Sequence, residues 1–146
     1  MTAMTVAALL RDKGRSVVTT SATASIAGAI DTLVRHKIGA LVVIDENDRI
    51  AGIMSERDIV RAIAARGGDV LNAPISDAMT RAVVTCTRTD TVDEVMARMT
   101  RGRFRHLPVV EDSDLIGIVS IGDVVKARIE QVEREAEDMR AYIAAV

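Results

Sequence analysis

The sequence GIMSERDIV, residues 52–60, joins an apolar run to an apolar helical pattern through the motif Ser-x-x-Asp. The sequence GIVSIGDVV, residues 117–125, makes the same junction again. A serine followed three residues later by an acidic residue is typical of a helix N-terminus. The two stretches therefore predict two strand-to-helix corners, and they raise the question whether each corner also holds a ligand.

The repetition extends well beyond this motif. The tripeptide VVT occurs at residues 17–19 and again at residues 83–85. Matching apolar residues continue through both copies: Ile26, Ala29, Ile30, Leu33, Leu41 and Val43 in the first, and Val92, Val95, Met96, Met99, Leu107 and Val109 in the second. The turn that follows is one residue shorter in the second copy, with EDSDL in place of DENDRI. The chain is therefore an internal duplication.

Each copy has the same predicted order of elements, β-α-β-β-α. The predicted strands are residues 17–20, 40–45 and 50–55 in the first copy and residues 83–86, 106–111 and 115–120 in the second. The spacing Thr91-x-x-Glu94 predicts a capping box at the start of a helix in the second copy. Alternating strands and helices predict an α/β fold, with helices that cover a small sheet.

The duplication defines the predicted domain organisation. Residues 1–66 form repeat 1, residues 67–74 a linker with glycine, asparagine and proline, residues 75–128 repeat 2, and residues 129–146 a C-terminal helical extension. One repeat of about 55 residues buries its apolar face poorly by itself. We therefore expect the two repeats to pack together about a pseudo-twofold axis.

Composition excludes several classes of protein. The chain is 49% hydrophobic but only 1% aromatic, so aliphatic side chains must fill its core. The net charge of −2 favours neither nucleic acid nor an anionic membrane as a partner. The single cysteine, Cys86, excludes an intrachain disulfide. The first residues, MTAMTVAALLRDKG, contain too short an apolar run for a signal peptide or a membrane span, and we expect a soluble cytoplasmic protein.

The sequence contains no catalytic or metal-binding motif. His36 and His106 lie at matching places before a strand, and neither has metal-ligand spacing to another histidine or to Cys86. No Walker loop, G-x-G-x-x-G sequence or nucleophile elbow is present. We therefore expect a protein that is not an enzyme, with no metal and no required cofactor.

Two explanations of the Ser-x-x-Asp motif are open at this point. As a cap, the serine hydroxyl accepts from the amide three residues on and the acidic side chain returns a hydrogen bond, an arrangement worth about 1 kcal/mol. As a binding corner, the helix N-terminus and the serine suit a phosphate, and the carboxylate suits the hydroxyls of a ribose. Aspartate in place of the longer glutamate, and a glycine before each corner, favour the second explanation. The two roles do not exclude each other.

The doubled pattern of VVT, then LVV or LPVVED, then G-h-x-S-x-x-D (h apolar) resembles the CBS domain, a family named after cystathionine β-synthase. Two tandem copies form a Bateman module, and the resemblance covers residues 6–128. It implies the CBS fold, which is α+β-like, with a ligand-binding cleft between the repeats. The chain resembles the stand-alone type, without an attached enzyme, transporter or channel.

The resemblance also implies which residues bind the ligand, an adenine nucleotide such as AMP, ADP, ATP or NAD. The ribose is expected on Asp58 and Asp123, and the phosphates near Ser55 and Ser120. Adenine and the rest of the pocket are expected at the first strand of each repeat and at the residues that enter the second strand: Val18, Val84, Gly39, Ala40, Arg105 and His106. Whether each aspartate is served by strand residues of its own repeat or of the other stays open.

The two sites are not expected to be equivalent. The basic residues that distinguish them are Arg57 in the first motif and Arg101, Arg103, Arg105 and His106 before the second repeat's central strand. If the pockets are built across the repeats, Arg57 and the basic cluster at residues 103–106 join Asp58 in one strong anionic site. The other site, around Asp123 with Gly39 and Ala40, is then less charged, roomier and weaker. The alternative is that the arginines form a solvated helix end, where positive charge suits the helix dipole.

The C-terminal residues 122–146 have a long helical pattern. Their apolar residues step by four and three positions, the spacing of a heptad seam: Val125, Ile129, Val132, Ala136, Met139 and Ile143. This segment either folds back over its own sheet or packs against a second subunit, and we favour the second. We therefore expect a homodimer formed by the core helices and the C-terminal helix.

These observations favour one function and leave one alternative. The favoured function is a sensor that binds an adenine nucleotide between the repeats and signals to an unidentified protein partner by conformational or oligomeric change. The alternative is a dimeric scaffold protein that has the same fold and no ligand, with Ser-x-x-Asp as a cap alone.

Overall fold

The computed structural model describes residues 4–14 and 16–145 of the chain. Its helices and strands, in chain order, are α1 (Val6–Lys13), β1 (Thr19–Ser21), α2 (Ile26–His36), β2 (Ala40–Ile44), β3 (Ile50–Ser55), α3 (Glu56–Arg66), α4 (Val92–Gly102), β4 (His106–Glu111), β5 (Asp114–Ser120) and α5 (Ile121–Ala145). Two short 3₁₀ helices, Gly68–Asn72 and Ile75–Asp77, follow α3. The predicted α/β class is confirmed.

The described residues divide into two compact units. The first-repeat unit contains residues 16–84 and 112–116, and the second-repeat unit contains the described parts of residues 1–15, 85–111 and 117–146. Helix α1 thus belongs with the elements of the second repeat, although it precedes the strands of the first. At the start of the chain, the compact units do not follow the predicted repeat boundary.

Backbone hydrogen bonds explain the place of α1. The Val6 amide donates to the Asp90 carbonyl at 2.9 Å, and the Val92 amide donates to the Met4 carbonyl at 2.9 Å. One face of the short helix is also apolar, with buried side chains one turn apart, which are Val6, Leu9 and Leu10. The helix is therefore held by both main-chain bonds and burial.

The first-repeat unit is built on a three-stranded sheet in the order β1-β2-β3. Strand β1 is parallel to β2, and β2 is antiparallel to β3. The helices and 3₁₀ turns of the unit bury its core, which consists of Ile26, Ala29, Leu33, Leu41, Val43, Met54, Ile59, Val70, Ile75 and Met79. Val70 lies in the segment predicted as a linker, so this segment contributes a side chain to the core of the unit.

The second-repeat unit has a two-stranded sheet, β4-β5, and the strand predicted at residues 83–86 is wrong. Only Cys86 pairs there: its amide donates to the Pro108 carbonyl at 3.0 Å, and its carbonyl accepts from the Val110 amide at 2.9 Å. In the first repeat, Val42 occupies the place of Pro108, and its amide donates to the Val18 carbonyl at 3.4 Å. Proline has no N–H, so the matching bond cannot form in the second repeat and the strand shrinks to one bridge.

The other element predictions agree closely with the structure. Strands β2 to β5 begin and end within one residue of the predicted bounds, whereas β1 starts at Thr19 instead of residue 17. Helix α4 begins at the predicted cap: the Thr91 hydroxyl accepts from the Glu94 amide at 3.1 Å. The same hydroxyl donates to the Glu94 carboxylate at 3.1 Å. The glutamate therefore bonds the threonine side chain, where a capping box would use the threonine amide.

Helix α5 has 25 residues and is about 37 Å long. Its buried residues are Val124 and Ala127 near its start. Five residues of the predicted seam are exposed, from 42% at Val125 to 67% at Ile143, and Ala136 is half-buried. The seam is therefore not covered by the described chain itself, and Val146, at its end, lies outside the described residues. Among the described residues, no helix is long and apolar enough to cross a membrane.

Candidate functional site

The first corner is the junction of β3 and α3, where Ser55 and Asp58 cap the helix. The Ser55 hydroxyl accepts from the Asp58 amide at 3.3 Å, and the Ser55 amide donates to Asp58 Oδ2 at 2.9 Å. The hydroxyl also donates to the same carboxylate oxygen at 3.0 Å. This is a reciprocal capping box, so aspartate is long enough for a role that glutamate usually fills.

Thr80 closes the first corner. Its hydroxyl donates to Asp58 Oδ1 at 2.9 Å, and its backbone exchanges two hydrogen bonds of 2.9 Å with Ile53 of β3. A Cβ atom at Gly52 would lie 2.8 Å from the Thr80 carbonyl oxygen. The glycine before this corner therefore admits the protein's own chain, where the sequence argument expected a ligand. Asp58 is only 8% exposed as a result.

The second corner is the junction of β5 and α5, and it has a different set of partners. The Ser120 hydroxyl accepts from the Asp123 amide at 3.1 Å, and the Ser120 amide donates to Asp123 Oδ2 at 2.8 Å. The Lys13 ammonium, at the end of α1, donates to Oδ2 at 2.5 Å and to the Ile118 carbonyl at 2.7 Å. The side chain of Asp123 is 26% exposed. This corner thus pairs its carboxylate with a cation and leaves it accessible.

The ion pair keeps Asp123 charged. Partial burial raises the pKa of this carboxyl, but the hydrogen bonds from Lys13 and Ser120 and the charge of Lys13 lower it by more, so the pKa of Asp123 lies below its ordinary value of 3.8. The group is therefore a carboxylate at neutral pH. It can accept hydrogen bonds from the hydroxyls of a ligand.

A carbonyl of the same repeat holds the first amide of the helix in both corners. The Glu56 amide donates to the Gly39 carbonyl at 3.0 Å, and the Ile121 amide donates to the Arg105 carbonyl at 2.8 Å. Gly39 and Arg105 immediately precede β2 and β4. Gly39 and Arg105, both expected to line the pocket, therefore adjoin the helix N-terminus at the corner of their own repeat.

The other predicted site residues differ in exposure within their own units. Ala40 is buried at the start of β2, Val18 is half-buried against the first-repeat core, and His106 is half-buried at the start of β4. The exposed residues are Val84, Arg57 on the first turn of α3, and Arg103 at the left-handed end of α4. The expected convergence of the basic residues on Asp58 stays a prediction. So does the ligand-binding role of each residue.

Sequence reasoning missed Lys13 and Thr80, the two residues that complete the corners. Lys13 precedes the first predicted strand of repeat 1, and Thr80 precedes the first predicted strand of repeat 2. When the two copies are aligned, Gly14 matches Thr80, and Lys13 is the residue before it. Neither belongs to the Ser-x-x-Asp motif, and each contacts an aspartate that is distant along the chain. The sequence did show that two hydrogen-bond donors, the Lys13 ammonium and the Thr80 hydroxyl, lie at nearly matching places in the two copies.

A groove of about 510 Å³ lies between α2 and α3 in the first-repeat unit. Its lining is largely apolar and consists of Ile30, Leu33, Val34, Lys37, Ile38, Gly39, Glu56, Ile59 and Val60. Val34 and Val60 are 73% and 65% exposed. Such a surface suits an apolar packing partner better than a nucleotide phosphate.

Cys86, the single cysteine of the chain, is not an activated nucleophile. Burial and the charge of Asp90 raise the pKa of the Cys86 thiol to about 12, against the opposing charge of Arg98. The thiol is therefore protonated at neutral pH and a poor nucleophile. Within the described chain, no group of three or more His, Cys, Asp and Glu residues is placed to hold a metal ion.

Comparison with known proteins identifies the family of the chain. The CBS domain profile matches residues 6–65 and 75–130. The CBS domain-containing protein CBSX3, mitochondrial, of Arabidopsis thaliana is 36% identical over 149 residues, a match that covers 95% of this chain and 71% of that protein. Among solved structures, the CBS-domain containing protein ATU1752 from Agrobacterium tumefaciens is 52% identical, with a TM-score of 0.84 over 86% of this chain and 94% of that chain.

A further solved structure carries ligands. The CBS domain pair of protein MJ0100, in complex with 5′-methylthioadenosine and S-adenosyl-L-methionine, is 27% identical, with a TM-score of 0.80 over 89% of this chain and 99% of that chain. The profile and these relatives together span both repeats. The chain therefore belongs to the CBS domain family and carries two CBS domains in tandem.

Proposed function

We propose that the chain is a non-catalytic regulatory module that binds an adenosyl ligand, of the AMP, ADP, ATP or NAD type, at its Ser-x-x-Asp corners. The observation that carries the proposal is the CBS domain pair of MJ0100, which shares the fold and was crystallised with two adenosine derivatives. Both derivatives contain adenine and ribose. A carboxylate at a strand-to-helix corner provides the acceptors that a ribose diol needs.

The second corner supports the proposal in chemical terms. Asp123 is ionised and partly exposed, and Ser120 places a hydroxyl beside the N-terminus of a long helix. Helix N-termini favour negative charge because of their free amides and the helix dipole. A single ligand can thus bond Asp123 through its ribose and place its phosphate at the helix N-terminus beside Ser120.

A thermal-shift panel tests the proposal. We expect AMP, ADP, ATP or NAD to raise the melting temperature and GMP to leave it unchanged, because a ligand at 100 times its Kd adds about 2.7 kcal/mol to the free energy of unfolding. Asp123→Ala, Asp58→Ala and the double variant run beside the wild type. We expect the double variant to lose the shift entirely, and a shift that survives in it would place the ligand elsewhere.

One observation favours the scaffold alternative. Both motifs act as helix caps in the structure, and Gly52 packs against the protein's own chain, so capping alone explains Ser55 and Asp58. If no adenosine compound shifts the melting temperature of the folded protein, the motifs are caps and the scaffold is the function to pursue.

We propose that the occupant of the exposed apolar helix faces is a second copy of the chain. The seam on α5 repeats every four and three residues, which is the pattern of helices that pair with one another. Within the first-repeat unit, Val34 on α2 and Val60 on α3 are exposed apolar residues as well. An isolated seam of under three heptads is marginal, so the core helices are expected to supply most of the dimer contact.

We propose that the module is cytoplasmic, since its single cysteine, Cys86, cannot form an intrachain disulfide. The relative CBSX3 is a mitochondrial protein. Microscopy of the full-length protein with a fluorescent tag tests the location, and an organellar signal would contradict it.

A further inference from the structure

The two corners differ in the hydrogen-bonding capacity that they leave for a ligand. At the first corner, Asp58 accepts from three donors: the Ser55 amide and hydroxyl on Oδ2, and the Thr80 hydroxyl on Oδ1. The Ser55 proton is itself engaged by the carboxylate. With Asp58 only 8% exposed, a ribose must displace Thr80 to reach this carboxylate.

The second corner keeps hydrogen-bonding capacity on its carboxylate. Every hydrogen bond to the Asp123 carboxylate from the described chain falls on Oδ2, and Oδ1 has none. Among the described residues, every buried polar side-chain atom has a hydrogen-bond partner. Because Oδ1 has no such partner, it is not buried and is accessible to solvent. The Ser120 hydroxyl accepts from the Asp123 amide, and the Ser120 side chain also helps to lower the pKa of the Asp123 carboxyl through a hydrogen bond. The hydroxyls of a ribose can therefore bond Oδ1 without breaking a bond of the protein.

Lys13 adds a cation at the second corner. Its ammonium has three N–H donors, and the described chain engages two of them, through Asp123 and the Ile118 carbonyl. The paired charges of Lys13 and Asp123 cancel, so an anionic group nearby is not repelled by the carboxylate. At the first corner, the corresponding partner of the aspartate is neutral: the Thr80 hydroxyl donates to Asp58 Oδ1.

We propose that Lys13 makes the Asp123 corner the site for a phosphate-bearing adenosine ligand. The ribose hydroxyls bond Asp123 Oδ1, and the phosphate, beside Ser120, accepts from the third Lys13 donor. The Asp58 corner, closed by Thr80, binds the same ligand more weakly. This inference rests on the proposed function and ranks the two sites in the opposite order to the one expected from the arginines of the sequence.

The test is isothermal titration of the full chain with AMP and with 5′-methylthioadenosine, which has the same adenine and ribose but no phosphate. Lys13→Gln is expected to weaken AMP binding about tenfold, the effect of one charge-assisted hydrogen bond, and to leave 5′-methylthioadenosine binding unchanged. Lys13→Arg keeps the charge and is expected to retain AMP binding. A merely structural role for Lys13 would weaken both compounds together.

Matched controls separate the site from general charge and from folding. Arg140→Gln removes one positive charge at an exposed position on α5, about 25 Å along the helix from Asp123, and is expected to change neither affinity. Asp123→Asn is expected to weaken both compounds, because both use the ribose contact. Asp58→Asn is expected to leave the tighter site intact. Circular dichroism of each variant establishes that it is folded.

Three outcomes would overturn the inference. Equal weakening of both compounds by Lys13→Gln, or tighter binding of AMP, would make Lys13 a structural residue or an internal competitor for Asp123. Loss of the tighter site in Asp58→Asn, with Asp123→Asn unaffected, would place the ligand at the first corner. Failure of the folded wild type to bind either compound would remove the proposed function together with this inference, whereas the first two results would leave the proposed function standing.

Discussion

Asp58 and Asp123 occupy the same position in two copies of one motif, but they differ as chemical groups. Asp58 is a buried acceptor with both oxygens bonded by the chain, and Asp123 is a partly exposed carboxylate beside an ammonium. The difference arises from single residues outside the motif, Thr80 and Lys13. A duplicated motif therefore does not guarantee two equivalent sites.

The Thr80 hydroxyl is expected to contribute to stability. Thr80→Val keeps the shape of the side chain and leaves Asp58 Oδ1 without its donor, so we expect a loss of about 1–3 kcal/mol in the free energy of unfolding. Urea denaturation measures it. Thr32→Val is the control, since that hydroxyl donates to the Gly28 carbonyl of its own helix at an exposed site. A Thr80 variant no less stable than the control would show that the bond is not important.

Asp90 predicts a dependence of stability on pH. The hydrogen bond from Arg98, at 2.7 Å, together with one from the Thr87 amide, lowers the pKa of Asp90 below 3.8, against partial burial. A depressed folded-state pKa stabilises the protein fully above about pH 3.8, and the stabilisation is lost as the pH falls through the folded value.

We expect Asp90→Asn to lower the free energy of unfolding by about 1–2 kcal/mol at pH 7. The gap between variant and wild type should narrow as the pH falls below about 3.8 and close once Asp90 is protonated in the folded state as well. Urea melts from pH 2.5 to 7 measure the gap, and the exposed Asp138→Asn is the control. A gap that is constant with pH would mean that the charge of Asp90 contributes nothing.

At the residue scale, the sequence predicts the caps and not their partners. Ser55, Asp58, Ser120 and Asp123 follow from a local motif, because a cap is made within one turn of helix. Contacts such as Lys13 to Asp123 join residues 110 positions apart. Only the packing of α1 brings them together, and no local pattern encodes that packing.

At the scale of elements, the two motif glycines differ in what they face. A Cβ atom at Gly52 would meet the Thr80 carbonyl oxygen and the Met79 sulfur, both at 2.8 Å. A Cβ atom at Gly117 would meet the end of the Leu10 side chain at 2.7 Å, and that side chain can rotate. Backbone cannot give way as easily, so the two positions are expected to tolerate alanine differently.

We expect Gly52→Ala to destabilise the protein by about 1–3 kcal/mol, through overpacking of β3 against the chain at Thr80. Gly117→Ala should cost less, and Gly68→Ala should cost nothing, since a Cβ atom at Gly68 would have no neighbour within 4 Å. Thermal and urea melts of the three variants give the order. Equal losses at Gly52 and Gly68 would contradict the packing account.

Strand β1 and its missing counterpart show where prediction of elements fails. The tripeptide VVT predicts a strand in both copies, but a strand also needs a partner with free main-chain groups. Val42 supplies an N–H in the first repeat, and Pro108 supplies none in the second. The proline was visible in the sequence, and its effect on a neighbouring strand depends on the register, which the sequence alone does not specify.

At the scale of the whole molecule, the duplication was the strongest signal. It predicts the α/β class and five strands of the structure, and the family membership that the resemblance implied is confirmed by the matches over both repeats. The attachment of α1 to the second-repeat unit was not predicted. It depends on main-chain bonds between residues 4–6 and 90–92, which leave no periodic trace in the sequence.

Self-association is expected to depend on the α5 seam. We expect Met139→Glu to weaken a dimer about tenfold or more, because it places a charge in an apolar contact. Ala141→Glu adds the same charge two residues away, off the seam, and should have no such effect. Light scattering with size-exclusion chromatography over a range of concentrations measures both. A wild type that stays monomeric, or equal weakening by both variants, would contradict the proposed dimer.

The central claim is that an adenosine ligand binds at a Ser-x-x-Asp corner, and a crystal structure of the chain with AMP tests it most directly. The account predicts density for the ribose hydroxyls at Asp123 Oδ1, with the phosphate beside Lys13 and Ser120. AMP bound elsewhere, for example in the groove between α2 and α3, or crystals that take up no AMP at saturating concentration, would contradict it.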